Sequence, residues 1–221
     1  ASLVGQFVNS SSNEERHSLI DGIIYKWAGV ENVDPASRAA SQIYGNAIGD
    51  ARKLEALEEF LGEEWYGVWC WGTKDPNPHG QAAPVLLQAY SELSEYVYAQ
   101  LASQSFLKPL FDKITYSWND SELALVGDLT QVANEVSILI NSNRSSGKEI
   151  LSEFVRTLKT LSIDQILNIP AFATALTPLG PDVVAIVDSA FSLVGTDYSD
   201  NLIGNAGADI LGASDFLVYR P

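Results

Sequence analysis

Asp200 and Asp209 are nine positions apart and occupy the same place in two consecutive nine-residue units, 195–203 and 204–212. Each unit opens on a glycine, Gly195 or Gly204, and carries a leucine, Leu202 or Leu211, two places beyond its aspartate. Glycine accepts the positive-φ backbone of a tight turn, a carboxylate offers the hard oxygen that calcium takes, and a recurring leucine can fill a thin core. Asp197 and Asp215 stand in the same stretch. Asp197, Asp200, Asp209 and Asp215 are therefore the candidate calcium ligands.

Elsewhere the chemistry-bearing residues are less specific. His17 follows Glu14, Glu15 and Arg16 on what reads as the solvated side of a helix, and His79 lies in a proline-rich turn. Cys70 is the single cysteine and stands among tryptophans, so it reads as a small buried apolar residue and can form no intrachain disulfide. Trp65, Trp69 and Trp71 are candidate ligand-binding residues, with rings suited to stacking on a protein or glycan surface; the competing reading is packing at the rim of the core. Glu55, Glu58, Glu59, Glu63 and Glu64 offer paired carboxylates of the kind a hydrolase uses, yet helix glutamates beside lysine and arginine read first as a solvated face. Phosphate-loop, dinucleotide, His-Glu-x-x-His and Gly-x-Ser-x-Gly patterns are absent from the sequence. The chain is accordingly expected to be non-catalytic, with an uncharacterised hydrolase as a minor alternative.

Composition narrows the partners. The 221 residues carry 13 Lys and Arg against 28 Asp and Glu, a formal net charge of −15 that repels phosphate, so no nucleic-acid partner is expected. No apolar run approaches the roughly 18–20 residues that cross a bilayer, and the most apolar stretch, 183–194, is interrupted by Asp188. Residues 1–12 lack the basic and apolar regions of a secretory signal, and the sequence has no methionine, so it reads as a piece excised from a longer chain.

The elements that must position these residues are mostly helical. Leu19, Ile20, Ile23, Ile24 and Trp27 recur at three- and four-residue steps and predict a helix over 13–27, with Asn13 as a cap. Asp34-Pro35 opens a polar, alanine-rich stretch suited to a helix start. A helix over 50–61 follows from Leu54, Leu57, Phe60 and Leu61, with Asp50 as cap and Gly62 as stop. Periodicity fails over 63–80, where aromatic residues precede the turn-forming Asp75-Pro76-Asn77-Pro78. The longest helix is expected over 84–104, with a continuous stripe from Leu86 to Leu101. Residues 110–118 suit either helix or strand, 129–140 and 148–161 read as helices, and 141–147 reads as the polar connection between them. After Gly180-Pro181 comes one more apolar helix candidate, and from Gly195 the composition turns to glycine, aspartate and asparagine.

The two phased units resemble the G-G-x-G-x-D-x-U-x nonapeptide of RTX (haemolysin-type) proteins, which winds into a parallel β-roll. Thr196 and Asn205 replace the second glycine, Tyr198 replaces the third in the first unit, and Gly207 keeps it in the second. A third unit is represented only by Ala213, Ser214 and Asp215, before Phe216 to Tyr219, which suit a closing strand. In that family calcium is shared between turns on one side of the roll, so the resemblance implies a degenerate site that needs ligands from a further unit.

Upstream, the block from Ile23 to Arg38, the block from Asp50 to Glu63, and the pieces Leu86 to Tyr90 and Val97 to Leu101 are similar to the helical region preceding the repeats in FrpC-like, iron-regulated RTX proteins, over most of 13–165. Trp65 to Trp71 departs from that pattern. The resemblance implies export by a type I system and repeats that fold on meeting extracellular calcium; it implies no catalytic role for the helices.

The expected fold is thus mainly α: a helical domain over 1–180, an apolar helix or connector over 181–194, and a short C-terminal parallel β-roll fragment over 195–221. The expected function is that of a secreted or cell-surface calcium-binding RTX segment. The alternative is an interaction module that binds a protein or glycan through the Trp65–Trp71 loop.

Overall fold

The computed structural model describes residues 2–38, 48–68, 74–75, 78, 80–120, 123–191, 193–194 and 211–212, and the described chain is mainly helical. It divides into two compact units, Ala1–Leu101 and Ala102–Pro221.

Among its described residues the first unit has the helices α1 (Leu3–Asn9), α2 (Asn13–Ala28), α3 (Ala51–Leu61) and α4 (Ala83–Gln104). Helix α2 forms where the apolar period predicts it, but its cap is Ser12, whose hydroxyl accepts the Glu15 N–H at 3.1 Å. Asn13 is instead the first helical residue. Gly29, with φ 74°, ends the helix in the left-handed conformation that glycine adopts without Cβ strain. Helix α3 starts and stops as its sequence implies, with the Asp50 carboxylate accepting the Arg52 N–H and Gly62 closing the last turn. Residues 35–38 form turns. Phe7, Ile20, Ile23, Ile24, Leu54 and Tyr98 supply large buried side chains. Phe7 meets the edge of Tyr98 at 5.5 Å between ring centroids. Trp27, placed by its spacing on the same stripe, is 53% exposed at the helix end.

Within 63–80 the backbone is not wholly irregular. The short strands β1 (Gly67–Val68) and β2 (Lys74–Asp75) pair antiparallel, Gly67 with Asp75 and Val68 with Lys74.

The second unit opens with the short helix α5 (Lys108–Phe111) and the strand β3 (Thr115–Asn119), so the ambiguous 110–118 segment divides between helix and strand. Strand β3 pairs with β4 (Ala124–Asp128) in an antiparallel hairpin, Trp118 opposite Leu125. Helices α6 (Thr130–Ser142) and α7 (Arg144–Thr160) follow, separated by Asn143 alone. The expected connection over 141–147 is therefore mostly helix. Asn143 caps α7 by accepting the Ser146 N–H at 3.1 Å, and Gly147 brings the two helices together: a Cβ there would stand 2.7 Å from the Ile140 backbone. Helix α8 (Ile169–Leu176) has no counterpart in the sequence reading, and α9 (Pro181–Phe191) forms from the apolar candidate. Phe111, Phe154 and Phe172 make an aromatic chain through this core, with centroids 5.2 and 6.3 Å apart. One residue beyond α9, β5 (Leu193–Val194) pairs in parallel with β6 (Leu211–Gly212).

Candidate functional site

Asp197, Asp200, Asp209 and Asp215 lie outside the described residues. What the structure describes of this region is the backbone pairing of Leu193 with Leu211 and of Val194 with Gly212, and the helix that delivers the first strand. Pro181 suits the first turn of α9, where its missing N–H would have no intrahelical partner. Val183 and Val187, four residues apart and so on one face, are fully buried. Helix α9 packs against α7 and α8.

Three cationic side chains of α7 hold the two ends of α9. Arg144 donates to Asp182 Oδ1 at 2.6 Å and to the Leu179 carbonyl at 2.9 Å, while Lys148 donates to Asp182 Oδ2 at 3.0 Å. These partners, Lys148 foremost, keep the Asp182 carboxyl below the usual carboxylate range. At the other end Lys159 donates to the Ala190 carbonyl at 2.8 Å, satisfying one of the orphan acceptors that every helix C-terminus leaves. Low-numbered residues meet at one end and high-numbered ones at the other, so α7 and α9 run side by side in the same direction.

Of the tryptophans, Trp65 is described, whereas Trp69 and Trp71, with Cys70 and His79, lie outside the described residues. Trp65 is half-buried and, like Leu86 and Leu87, packs against the buried cluster of Ile48, Leu54 and Ala83. Its backbone N–H donates to Glu58 Oε1 at 2.8 Å. The same carboxylate receives the Arg38 guanidinium as a fork, at 3.1 Å to Oε1 and 2.6 Å to Oε2. Glu58 and Arg38 side chains are only 10% and 16% exposed, and Glu55 lies 3.6 Å from Arg38 Nε. Glu58 thus departs from the solvated face expected for it: it turns inward because Arg38 and the start of the aromatic segment meet there. With both oxygens engaged it works as a structural acceptor, while Glu59, Glu63 and Glu64 are exposed.

His17 also departs from its expected place. It shares a helical stripe with Ile20 and Ile24, and its ring stacks on Tyr98 at 4.0 Å with the planes 2° apart.

A second polar network was hidden from sequence reasoning. Tyr90 donates to Asp21 Oδ1 at 2.9 Å across 69 positions of sequence, and Tyr25 donates to Asp50 Oδ2 at 3.3 Å. Arg52 forks onto Asp50 and lies 4.6 Å from the centre of the Tyr25 ring. Burial pushes the Tyr25 phenol up to about 12 and the Tyr90 phenol further in the same direction, so both are neutral donors at physiological pH. Hydrogen bonds from Arg52 hold the Asp50 carboxyl below its usual range. The arrangement ties α2, α3 and α4 together and offers no activated nucleophile.

Among the described residues, no group of three or more His, Cys, Asp or Glu side chains is placed to hold a metal ion. A cleft of about 150 Å³ between β4, α6 and α8, lined by Val126, Asp128, Thr130, Asn168 and Phe172, is smaller than the roughly 300 Å³ at which small-molecule pockets begin. No helix among the described residues is long and apolar enough to cross a membrane. Comparison with protein-family models, with curated proteins and with solved structures finds no match to this chain.

Proposed function

We propose that this chain is a segment of a secreted RTX-type calcium-binding protein, in which a non-catalytic helical region leads into the first turns of a degenerate calcium-binding β-roll. One observation carries the reading: β5 and β6 pair in parallel with Leu193 opposite Leu211, an offset of 18 residues. Two nine-residue units make that offset, so the strand interval and the sequence period agree. A two-residue connection would make a hairpin, while parallel neighbours need a dozen or more residues to return, which is what two units supply. The acidic balance adds little, since the repeat holds only four of the 28 acidic residues. Asp197, Asp200, Asp209 and Asp215 are the ligands in this reading, with calcium met outside the cell. Titration of the full chain from chelator to 10 mM calcium (about the millimolar range of extracellular modules and above), read by circular dichroism and melting, tests it. A gain of ordered signal and a higher melting temperature are expected; unchanged spectra and melting overturn it.

A second reading, a protein or glycan contact made through the aromatic segment, draws support from the β1–β2 pairing, which gives that segment a hairpin base beside the Glu58 anchor. Trp69→Ala with Trp71→Ala is then expected to leave folding intact, whereas unfolding by that pair would make both rings core.

A further inference from the structure

We propose that Arg144, Lys148 and Lys159 are positioning residues for the repeat: they fix α9 on α7 so that Leu193–Val194 is presented as the first strand of the roll, and calcium binding is thereby coupled to the helices. The proposal rests on the calcium reading above and adds how that site is controlled.

The geometry favours a device of this kind. Arg144, Lys148 and Lys159 fall within an arc of about 60° on α7, taking roughly 100° per residue, and form a single stripe. Each reaches a different point of the segment that leads to the repeat: Arg144 the Leu179 carbonyl and Asp182, Lys148 the other Asp182 oxygen, and Lys159 the Ala190 carbonyl. Arg144 and Asp182 are about half exposed, so their pairing adds little to the stability of a helix already held by Val183 and Val187. What it sets is where α9 sits along α7.

That placement matters because the strand begins at Leu193, two positions after the helix ends at Phe191. A two-residue parallel pair cannot organise itself, since ordering backbone and bringing together residues 18 positions apart both cost entropy. Holding one strand at the end of a fixed helix removes half of that search. By linkage, a calcium ion that binds only the ordered repeat must then also favour the helices in their clamped arrangement.

The test uses the full chain with Asp182→Asn and Lys159→Gln together, against wild type and against Lys108→Gln, whose partner Asp112 lies one turn on at the end of α5, away from α7 and α9. The calcium midpoint and the rise in melting temperature on adding calcium are both read. If the clamp positions the repeat, the double variant shifts the midpoint upward by about fivefold and shrinks the calcium-induced rise, while its melting in chelator and the Lys108→Gln control stay near wild type. A purely structural role would lower melting in chelator and in calcium alike, leaving the rise unchanged, and would overturn the proposal. Equal midpoints for wild type and double variant overturn it too, with calcium binding intact. A wild type that ignores calcium overturns the underlying reading and the coupling together. Should the double variant lose its cooperative melt, Lys159→Gln alone carries the same test.

Discussion

Gly180 joins the turn Thr177–Leu179 to α9 with φ 111° and ψ 161°, a region open essentially to glycine alone. Alanine there would hold about 1–3 kcal/mol of backbone strain. Its Cβ would also stand 3.0 Å from Asp182 Oδ1 and 3.2 Å from Arg144 Nη2. Both neighbours are ends of side chains that can swing aside, so backbone strain sets the size of the effect and the displaced pair loosens the start of α9. For a unit spanning 102–221, a loss of about 2 kcal/mol lowers the melting temperature by roughly 6–10 °C. Thermal melting of Gly180→Ala by far-ultraviolet circular dichroism measures this. Gly80→Ala is the control, because a Cβ there would meet open space and no positive φ opposes it; its melting is expected to match wild type. Equal melting of Gly180→Ala and wild type would refute the account of how α9 is launched.

Glu58→Gln removes the carboxylate that Arg38 forks onto, leaving only Glu55 at 3.6 Å, and is expected to cost about 1–3 kcal/mol, seen as a lower urea midpoint; an unmoved midpoint would show that the fork adds nothing. Asp50, held below the usual carboxylate range chiefly by Arg52, binds its proton less readily in the native state than unfolded. Its contribution is present above the ordinary carboxylate pKa and is lost as pH falls through the lowered native value, so Asp50→Asn should lower melting at pH 7 and change it little near pH 2. Asp164 has the opposite sign, since burial raises its carboxyl. Its native state is favoured below the unfolded pKa and loses that advantage as pH rises through the raised native value, so Asp164→Asn should melt above wild type at pH 7 and show no gain near pH 3.

The parts of the fold that were legible in the sequence are those that local rules decide. Helices α2, α3 and α4 announce themselves by a 3.6-residue apolar period, and Asp50 and Gly62 act at the ends where their chemistry places them. Helix α1 leaves no clear signal because seven residues carry too little period, and α7 begins at Arg144 because Asn143 caps a polar first turn that reads as a loop. Gly147 reads as part of that loop; its reason is a close approach to Ile140, a tertiary fact with no local signal. The same holds for the grip of Glu58 on Arg38 and Trp65 and for the Tyr90–Asp21 bond, which join positions far apart in the chain. The nine-residue units over 195–212 fall almost wholly outside the described residues; of that region the structure describes the parallel pairing of β5 with β6.

The most direct measurement of the central claim is the strand register of the full chain in saturating calcium, read from backbone amide contacts by nuclear magnetic resonance. A calcium-ordered roll places Leu193 beside Leu211 in parallel and strengthens that contact as calcium is added. Antiparallel contacts, an offset that is not a multiple of nine, or a register indifferent to calcium would contradict it.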